Sequence, residues 1–240
     1  KSVPANVADE TESEAAAAIS RDGKLDWQVM PIRGVTRATQ FLAGDVGPGG
    51  RKGLLIGSRF SAGHNVAWLG EDGAFRTRHA KAPERGYFGM DLADVNGDGK
   101  TDLIASCGDV LLRQPAGDLP EAPTFRLKPP AGELAGWVFM AVGDFNKDGW
   151  PDVVLLANGK DGLLAALYLN THDPARPFAD EPVAFTVPDA SVLRDGPTVA
   201  DWNGDGVPDL VLAAKDARGV RILLGDRRDG LKADRIASIP

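Results

Sequence analysis

The chain has 240 residues, of which 43% are hydrophobic and 25% charged, and a formal net charge of −7 at pH 7. These proportions are typical of a globular protein and exclude a disordered chain. The negative charge, with no concentrated basic patch to offset it, argues against a nucleic-acid partner. A single cysteine, Cys107, excludes an intrachain disulfide and zinc sites built on CxxC pairs. No run of 18 apolar residues occurs, so no transmembrane segment is predicted.

Residues 1–25 differ in composition from the rest of the chain. They contain several acidic residues before an alanine run at Ala15–Ala18, and few large apolar side chains. Such a segment lacks the apolar surface that would order it against a core. We therefore predict a flexible, acidic and alanine-rich N-terminal arm, with at most one nascent helical turn, before a folded part at residues 26–240.

Residues 26–240 contain four repeats. Their shared loops begin at Asp45, Asp94, Asp144 and Asp201, which gives spacings of 49, 50 and 57 residues. A period near 50 suits a β-propeller blade of four strands, since blades run roughly 40–50 residues. The predicted repeats lie near 26–80, 81–130, 131–190 and 191–240.

Each repeat divides into four strand-like pieces. In the third repeat these are Trp137–Gly143, Val153–Ala157, Leu163–Leu169 and Val183–Val187. The second piece is almost entirely apolar, which is typical of a strand covered on both faces, as inner strands are when blades stack. No stretch keeps a 3.6-residue period, so the sequence predicts an all-β propeller with about four four-stranded blades in this chain.

The strand count bears on ring closure. Trp27–Ile32 is typical of an outer strand before the first repeat, and Asp234–Ile239 of the outer strand that ends the fourth. Four inner sets and five outer strands are one strand too many for a simply closed four-bladed ring. The sequence therefore predicts part of a larger propeller, or an arc completed by another chain. A closed four-bladed ring is the alternative, since propellers have 4–8 blades.

Three of the four loops share the pattern Asp-x-Asn-x-Asp-Gly-x-x-Asp, whose positions are numbered 1–9 below. Side-chain oxygens at positions 1, 3, 5 and 9, with the carbonyl oxygen at position 7, can surround calcium, a hard cation that takes six to eight oxygens. Glycine at position 6 permits the sharp turn that this requires. The predicted calcium ligands are Asp94, Asn96, Asp98, Lys100 and Asp102 in the second repeat, Asp144, Asn146, Asp148, Trp150 and Asp152 in the third, and Asp201, Asn203, Asp205, Val207 and Asp209 in the fourth.

A plain hairpin turn and a helical EF-hand loop both fit this pattern less well. Asn-Gly and Asp-Gly pairs favour hairpin turns, but a hairpin does not need aspartates at positions 1 and 9. Three carboxylates so close together would also repel one another without a cation. An EF-hand loop needs an acid at position 12, where this chain has Ala105, Leu155 and Leu212. The loops thus predict up to three structural Ca²⁺ sites.

The first repeat lacks this set of oxygens. Asp45 remains at position 1, but Gly47, Gly49 and Gly53 stand at positions 3, 5 and 9. A Gly-Pro-Gly-Gly turn can form without a metal ion, so no calcium is predicted there.

The loops, their period, and Phe88-Gly89 ahead of the second loop resemble the FG-GAP/VCBS repeats of integrin-α-type β-propellers. The resemblance covers about residues 26–240. Ser106-Cys107-Gly108 and Ala157-Asn158-Gly159 stand where the family has Gly-Ala-Pro. The resemblance implies loops that join the first two strands of each blade, calcium on one face of the disc, and an extracytoplasmic location, secreted or periplasmic.

Apolar residues recur at position 2 of the loops and are predicted to pack between blades. They are Val46, Val95, Phe145 and Trp202. Trp150, at position 7, has Lys100 and Val207 as counterparts and is predicted to be more exposed. There it could stack on a sugar or on a protein partner.

Several functions are compatible with this fold. The leading hypothesis is a non-enzymatic interaction or scaffold module that binds a protein or a glycan, with calcium in a structural role. No Ser-His-Asp arrangement, phosphate loop or paired catalytic carboxylate stands out in the sequence. The alternatives are a calcium-dependent polysaccharide lyase, which would need a basic groove, and a lectin, which would need an aromatic residue recurring at one surface position.

Overall fold

The computed structural model describes residues 13–20, 27–35, 40–57, 64–80, 89–131, 134–192, 196–216, 219–233 and 235–239. Within these ranges the chain forms five antiparallel sheets and one short 3-10 turn at Pro48–Gly50. None of the described residues belongs to a helix long and apolar enough to cross a membrane. The all-β prediction is confirmed, and four of the sheets are the predicted propeller blades.

A two-stranded sheet precedes the blades. Strand β1 (Ser13–Ser20) pairs with β2 (Trp27–Val35). The strand predicted at Trp27–Ile32 is therefore present, but its partner is β1 rather than a blade. Strand β1 lies within the segment predicted to be a flexible arm. The helix preference of an alanine run is a weak bias, which strand pairing overrides here; residues 1–12 lie outside the described ranges.

The four blades have the following strands. The first contains β3 (Gln40–Gly44), β4 (Gly53–Gly57), β5 (His64–Leu69) and β6 (Phe75–Ala80), and the second β7 (Met90–Ala93), β8 (Asp102–Ala105), β9 (Asp109–Leu111) and β10 (Phe125–Arg126). The third contains β11 (Leu134–Gly143), β12 (Asp152–Gly159), β13 (Gly162–Tyr168) and β14 (Val183–Pro188). In the fourth, β15 (Ala190–Ser191) and β16 (Thr198–Ala200) both pair with β17 (Asp209–Ala214), which is followed by β18 (Val220–Leu223) and β19 (Ile236–Ile239).

The apolar core lies between the blades. All of β8 and residues 152–157 of β12 are buried, so both faces of these inner strands are covered. In β17, Leu210 and Leu212 are buried against the third blade, whereas Val211 and Ala213 are partly exposed. Because alternate residues of a strand point to opposite faces, the fourth blade is covered on only one face.

The residues at position 2 of the loops also differ in burial between the fourth blade and the other three. Val46, Val95 and Phe145 are at most 1% exposed, as predicted, because each packs beneath the blade that follows it. Trp202 is 53% exposed, so the prediction that it packs between blades is wrong. Its side of the fourth blade is not covered by any of the blades described above.

Candidate metal-binding loops

The predicted ligand loops connect the first strand of a blade to the second. In the second-blade loop, Asp94 Oδ2 accepts a hydrogen bond from Gly99 N at 2.8 Å. Asn96 Oδ1 accepts one from Asp98 N at 3.1 Å, and Asp98 Oδ1 accepts one from Lys100 N at 2.9 Å. The loop backbone therefore holds the side chains at positions 1, 3 and 5 in fixed orientations.

The third- and fourth-blade loops repeat all three bonds. The distances are 2.9 Å for Gly149 N–Asp144 Oδ2, 3.2 Å for Asp148 N–Asn146 Oδ1, 2.8 Å for Trp150 N–Asp148 Oδ1, 2.9 Å for Gly206 N–Asp201 Oδ2, 2.9 Å for Asp205 N–Asn203 Oδ1 and 2.8 Å for Val207 N–Asp205 Oδ1. One conformation thus serves three loops whose residues at positions 4 and 7 differ.

Positions 4 and 6 make this conformation possible. Position 6 is glycine in every loop, with φ between 79° and 92°. Position 4 is also left-handed in all three, at Gly97, Lys147 and Gly204, with φ of 69°, 55° and 76°. Lys147 is the only one of these six residues with a side chain beyond hydrogen, and a non-glycine residue in this region is uncommon. The third loop therefore keeps the shared conformation although a lysine is sterically less favourable than glycine at this φ.

The aspartate at position 9 is buried in all three loops, whereas the aspartates at positions 1 and 5 are partly or fully exposed. Asp102 is fully buried and accepts Val95 N at 3.1 Å and Arg113 N at 2.7 Å, one on each oxygen. Asp152 and Asp209 repeat this arrangement on the nitrogens of Phe145 and Asn170, and of Trp202 and Gly225. The position-9 carboxylate therefore ties the start of the loop to the chain that follows the third strand.

Burial makes this carboxylate costly to ionise. Desolvation, together with the charges of Asp98 and Asp94, raises the pKa of Asp102 to about 6, although hydrogen bonds from the backbone N–H groups of Arg113 and Val95 act in the opposite direction. Desolvation likewise raises the pKa of Asp152 to about 7, with Asp148 and Asp144 adding to the effect. Asp102 has the charge of Arg113 nearby, whereas the main influences on Asp152 include no cationic side chain.

The donor chemistry of the loops fits a hard cation. Each loop offers carboxylate, amide and carbonyl oxygens, which are the ligands calcium prefers. In the conformation described, no three or more Asp, Glu, His or Cys side chains among the described residues are grouped so that they could hold a metal ion. A cation in a loop would therefore need the asparagine oxygen, the position-7 carbonyl and water in addition to the carboxylates.

Trp150 connects the second- and third-blade loops. Its ring stacks on His172, with centroids 5.2 Å apart and an interplanar angle of 18°. It also covers Gly97, where an added Cβ would lie 2.4 Å from the indole Cη2. Since one face of the ring stacks on His172 and its six-membered ring packs against Gly97, Trp150 is less available for stacking on a ligand than predicted.

His172 in turn contacts the third-blade loop directly. Its Nε2 lies 2.8 Å from Asp148 Oδ2. Burial alone would raise the pKa of Asp148, but hydrogen bonds from His172, Trp150 N and Asn146 hold it below its usual value. A side chain from outside the third loop therefore engages a predicted ligand there, whereas in the second loop Asp98 Oδ2 lies 3.6 Å from Lys100 Nζ of the same loop.

Asn170 was not singled out by the sequence, yet it links two of the loops. Its Nδ2 donates to Val95 O at 2.9 Å and to Pro151 O at 3.2 Å, so it bridges the second- and third-blade loops. Arg113 occupies the corresponding place in the second blade, where its Nε donates to Thr101 O at 2.7 Å.

No sequence signal marks this set of linking residues. Asn170, Arg113 and Gly225 are the residues beyond the third strand whose backbone N–H groups bond the position-9 carboxylate, and their side chains have nothing in common. They also stand at different distances from it, 18, 11 and 16 residues along the chain.

The first-blade loop is closed by other means. Asp45 Oδ1 pairs with Lys52 Nζ at 2.6 Å, and Gly47 N donates to Arg51 O at 2.8 Å. Gly117, from a turn of the second blade, packs so closely on this loop that an added Cβ would lie 2.6 Å from the backbone of Gly49 and Gly50. The loop is thus stabilised by an ion pair and by backbone packing.

Comparison with known proteins agrees with this architecture. A family model described as "FG-GAP-like repeat" matches residues 144–212, which include the third- and fourth-blade loops. Integrin alpha-10 of Homo sapiens is 31% identical over 205 residues, which represent 75% of this chain and 17% of the integrin. The chain thus spans less than a fifth of the length of that relative.

Solved structures are similar at the level of the fold. A lectin of Agrocybe aegerita, described by its recognition of non-reducing terminal N-acetylglucosamine, aligns over 95% of this chain and 66% of its own, with a TM-score of 0.53 and 17% identity. The V. cholerae biofilm matrix protein Bap1 aligns over 68% of this chain and 27% of its own, with a TM-score of 0.36 and 14% identity. The lectin supports the fold alone, and the second likeness is too low to add to it.

Proposed function

Because the chain belongs to the FG-GAP repeat family of integrin-α-type β-propellers, we propose that it is an extracytoplasmic interaction module whose Asp/Asn loops hold structural calcium. The module binds a protein or a glycan, or serves as a scaffold in a larger assembly. Its similarity to an integrin α chain supports an interaction role, and the family resemblance supports the location outside the cytoplasm.

The repetition of one hydrogen-bond pattern in three loops carries the calcium part of the proposal. Backbone donors orient the oxygens at positions 1, 3 and 5 identically in each loop, although the intervening residues differ. Each loop also keeps a buried carboxylate at position 9 with no cationic side chain bonded to it within the described ranges. A bound cation would supply the missing positive charge.

The ligands in this proposal are those predicted from the sequence: Asp, Asn and Asp side chains at positions 1, 3 and 5, the carbonyl at position 7, and the carboxylate at position 9. Calcium bound there would pin the connection between the first two strands of each blade. At a hundredfold excess over Kd, each filled site adds about 2.7 kcal/mol to the free energy of unfolding.

Thermal unfolding across a calcium titration tests the proposal, with magnesium as the control ion. For a chain of this size, one filled site raises Tm by about 5–10 °C, because 1 kcal/mol corresponds to about 2–4 °C. Metal analysis of the same sample gives the number of bound ions. Unchanged melting in calcium and EDTA, together with metal-free protein, would refute the calcium sites.

The interaction role needs a separate measurement. Binding to immobilised proteins and glycans is compared in calcium and in EDTA. Under this proposal, binding depends on calcium only as far as folding does, so a binding signal should survive at temperatures where the EDTA-treated protein is still folded.

A further inference from the structure

The three acidic loops share one backbone conformation but differ at one neighbouring position. In each blade a residue beyond the third strand donates its backbone N–H to Oδ1 of the position-9 aspartate, at 2.7–2.8 Å. This residue is Arg113 in the second blade, Asn170 in the third and Gly225 in the fourth. Only the second blade therefore has a cationic side chain at this position.

The guanidinium of Arg113 is buried and fixed next to the second-blade loop. The residue is 4% exposed. Its Nε donates to Thr101 O at 2.7 Å and its Nη1 donates to Gly117 O at 2.8 Å. Thr101 is position 8 of the loop. The cation is thus bonded to the chain between two predicted ligands, the carbonyl at position 7 and the carboxylate at position 9.

The charge of Arg113 is balanced by nearby acids rather than by a bonded counterion. Among the described residues no carboxylate forms an ion pair with it, and its buried Nη2 has no hydrogen-bond partner. Burial lowers the pKa of Arg113, and the charges of aspartates that include Asp102 and Asp98 act in the opposite direction. Both aspartates are predicted calcium ligands, so the guanidinium and a calcium ion in this loop would be attracted by the same carboxylates.

The third- and fourth-blade loops have no buried cation at this place. Within the described part of the chain, the carboxylates of the third loop pair with His172 and with no lysine or arginine. Beside the fourth loop, Arg227 donates to Asp205 O at 3.1 Å and Lys147 Nζ also lies close, but both side chains are exposed. Water and salt screen an exposed charge much more than a buried one.

Lys100 adds positive charge to the second loop without being fixed there. Its Nζ lies 3.6 Å from Asp98 Oδ2, and its side chain is 36% exposed. A lysine has a long, flexible stem, so this ammonium can turn into solvent when an ion binds. Arg113 cannot do so, because it is buried and bonded to two backbone carbonyls.

We propose that Arg113 is a fixed internal cation that weakens calcium binding in the second-blade loop, so that this loop fills last as the calcium concentration rises. Like charges repel each other strongly where water is excluded. The inference rests on the proposed calcium sites and adds an order of filling to them. The contact of Gly117 with the first-blade loop, next to Arg113, would then respond only to the highest calcium concentrations.

Calcium-binding isotherms of the full chain, recorded by calorimetry, test this order. The wild-type protein should show two tighter steps and one weaker step. Arg113→Gln removes the charge and should tighten the weakest step by about tenfold. Arg113→Lys keeps the charge and should leave this step weak. Arg176→Gln is the matched control, because it removes an arginine that is 61% exposed in the third blade. It should change none of the steps.

Two further variants assign the steps to loops and do not depend on whether Arg113→Gln folds. Asp94→Ala should abolish the weakest step and leave the two tighter ones, whereas Asp144→Ala should abolish one of the tighter steps. With Asp94→Ala already present, Arg113→Gln should have no effect on the two steps that remain. Far-UV circular dichroism of each variant verifies that the fold is intact.

Several results would overturn the inference and leave the structural calcium sites in place. They are three equal steps, a weakest step that survives Asp94→Ala, and a folded Arg113→Gln protein whose weakest step is unchanged. Equal tightening by Arg113→Gln and Arg113→Lys would also overturn it, because the contacts of the side chain rather than its charge would then set the affinity. A protein that binds no calcium would refute the proposed calcium sites, and this inference with them.

Discussion

The first-blade loop and the three loops that follow it make the same connection between strands but are stabilised by different interactions. Each joins the innermost strand of a blade to the second strand. The first loop contains one carboxylate, paired with Lys52, and closes through glycines and through packing against Gly117. The other loops contain three carboxylates each and orient them with backbone N–H groups.

The comparison shows that the fold needs the turn but not the acids. Position 9 makes the point most clearly. At Gly53, an added Cβ would lie 2.6 Å from Ala67 O, so the first blade has no room for an aspartate there. In the other blades the same position is a buried aspartate that accepts two or more backbone N–H groups. The turn at this connection therefore forms without the acids in the first blade, whereas in the other blades the position-9 aspartate itself bonds the backbone at the base of the loop.

The largest expected effect is on the packing of the first loop. Gly117→Ala would place a Cβ 2.6 Å from the backbone of Gly49 and Gly50, at a residue with φ of 91°. Overpacking and a strained backbone together should lower the free energy of unfolding by about 4 kcal/mol. Gly99→Ala is the matched control, because it has φ of 79° but nothing within 4 Å of its Cβ. It should cost about 1–2 kcal/mol. Equal losses by urea denaturation would show that the close approach does not matter.

Acid should affect the first blade through His64. This residue is 3% exposed, and desolvation, with the nearby charges of His79 and Arg78, lowers its pKa from 6.5 to about 4. Between these values the unfolded chain binds a proton that the folded chain does not, so stability falls as pH drops from 6.5 towards 4. The loss attributable to His64 is on the order of 3 kcal/mol.

Comparison with His64→Gln isolates this contribution. The difference in unfolding free energy between the variant and the wild type should shift in favour of the variant as pH drops through this window. Between pH 7 and pH 9 the difference should stay constant. A difference that does not change with pH would show that His64 is not responsible for the acid sensitivity.

Asp144→Ala and Asp45→Ala should differ in how calcium changes their stability, which distinguishes the acidic loops from the first-blade loop. In calcium at a hundredfold excess over Kd, Asp144→Ala should lose about 2.7 kcal/mol of unfolding free energy because one site is gone. In EDTA it should lose much less, since only hydrogen bonds to the loop backbone disappear. Asp45→Ala, at the same position of the first loop, should show no dependence on calcium. A calcium-independent loss at Asp144 would count against a site there.

The smallest effect is expected for the ion pair of the first loop. Lys52→Ala removes the partner of Asp45, but the lysine side chain is 86% exposed. Exposed ion pairs contribute about 0–1 kcal/mol. Denaturation at low and high salt should show a loss below about 1 kcal/mol that shrinks with added salt. A larger loss would mean that this ion pair does replace a cation in closing the loop.

Most of the fold could be predicted from the sequence because each repeat contains the same succession of strand-like and turn-like segments. The strands of the third blade follow from apolar runs between turn residues, and the observed bounds differ from the predicted ones by at most three residues. The strand at Ser13–Ser20 was not predicted. An alanine run has no alternation of apolar and polar residues, so only its pairing with β2 reveals it.

The site was predictable in its residue types but not in its internal arrangement. A linear pattern gives the same weight to positions 1, 3, 5 and 9. It does not show that Asp102 and Asp152 are buried and bonded to the backbone, because that depends on N–H donors contributed from beyond the third strand. The error at Trp202 has a related cause. Repetition of an apolar residue indicates burial only where another blade covers it, and none of the four blades described here covers Trp202.

All three acidic loops lie at the same blade connection, so their negative charges are distributed unevenly over the molecule. In a propeller, connections between the same two strands of successive blades lie on the same face of the disc. Filling three loops with calcium would add six positive charges on that face, changing the net charge from −7 to −1 (−7 + 6), and none on the opposite face. Calcium would then alter the electric dipole moment of the protein as well as its stability. The orientation in which the protein approaches a charged surface would depend on the concentration of the ion.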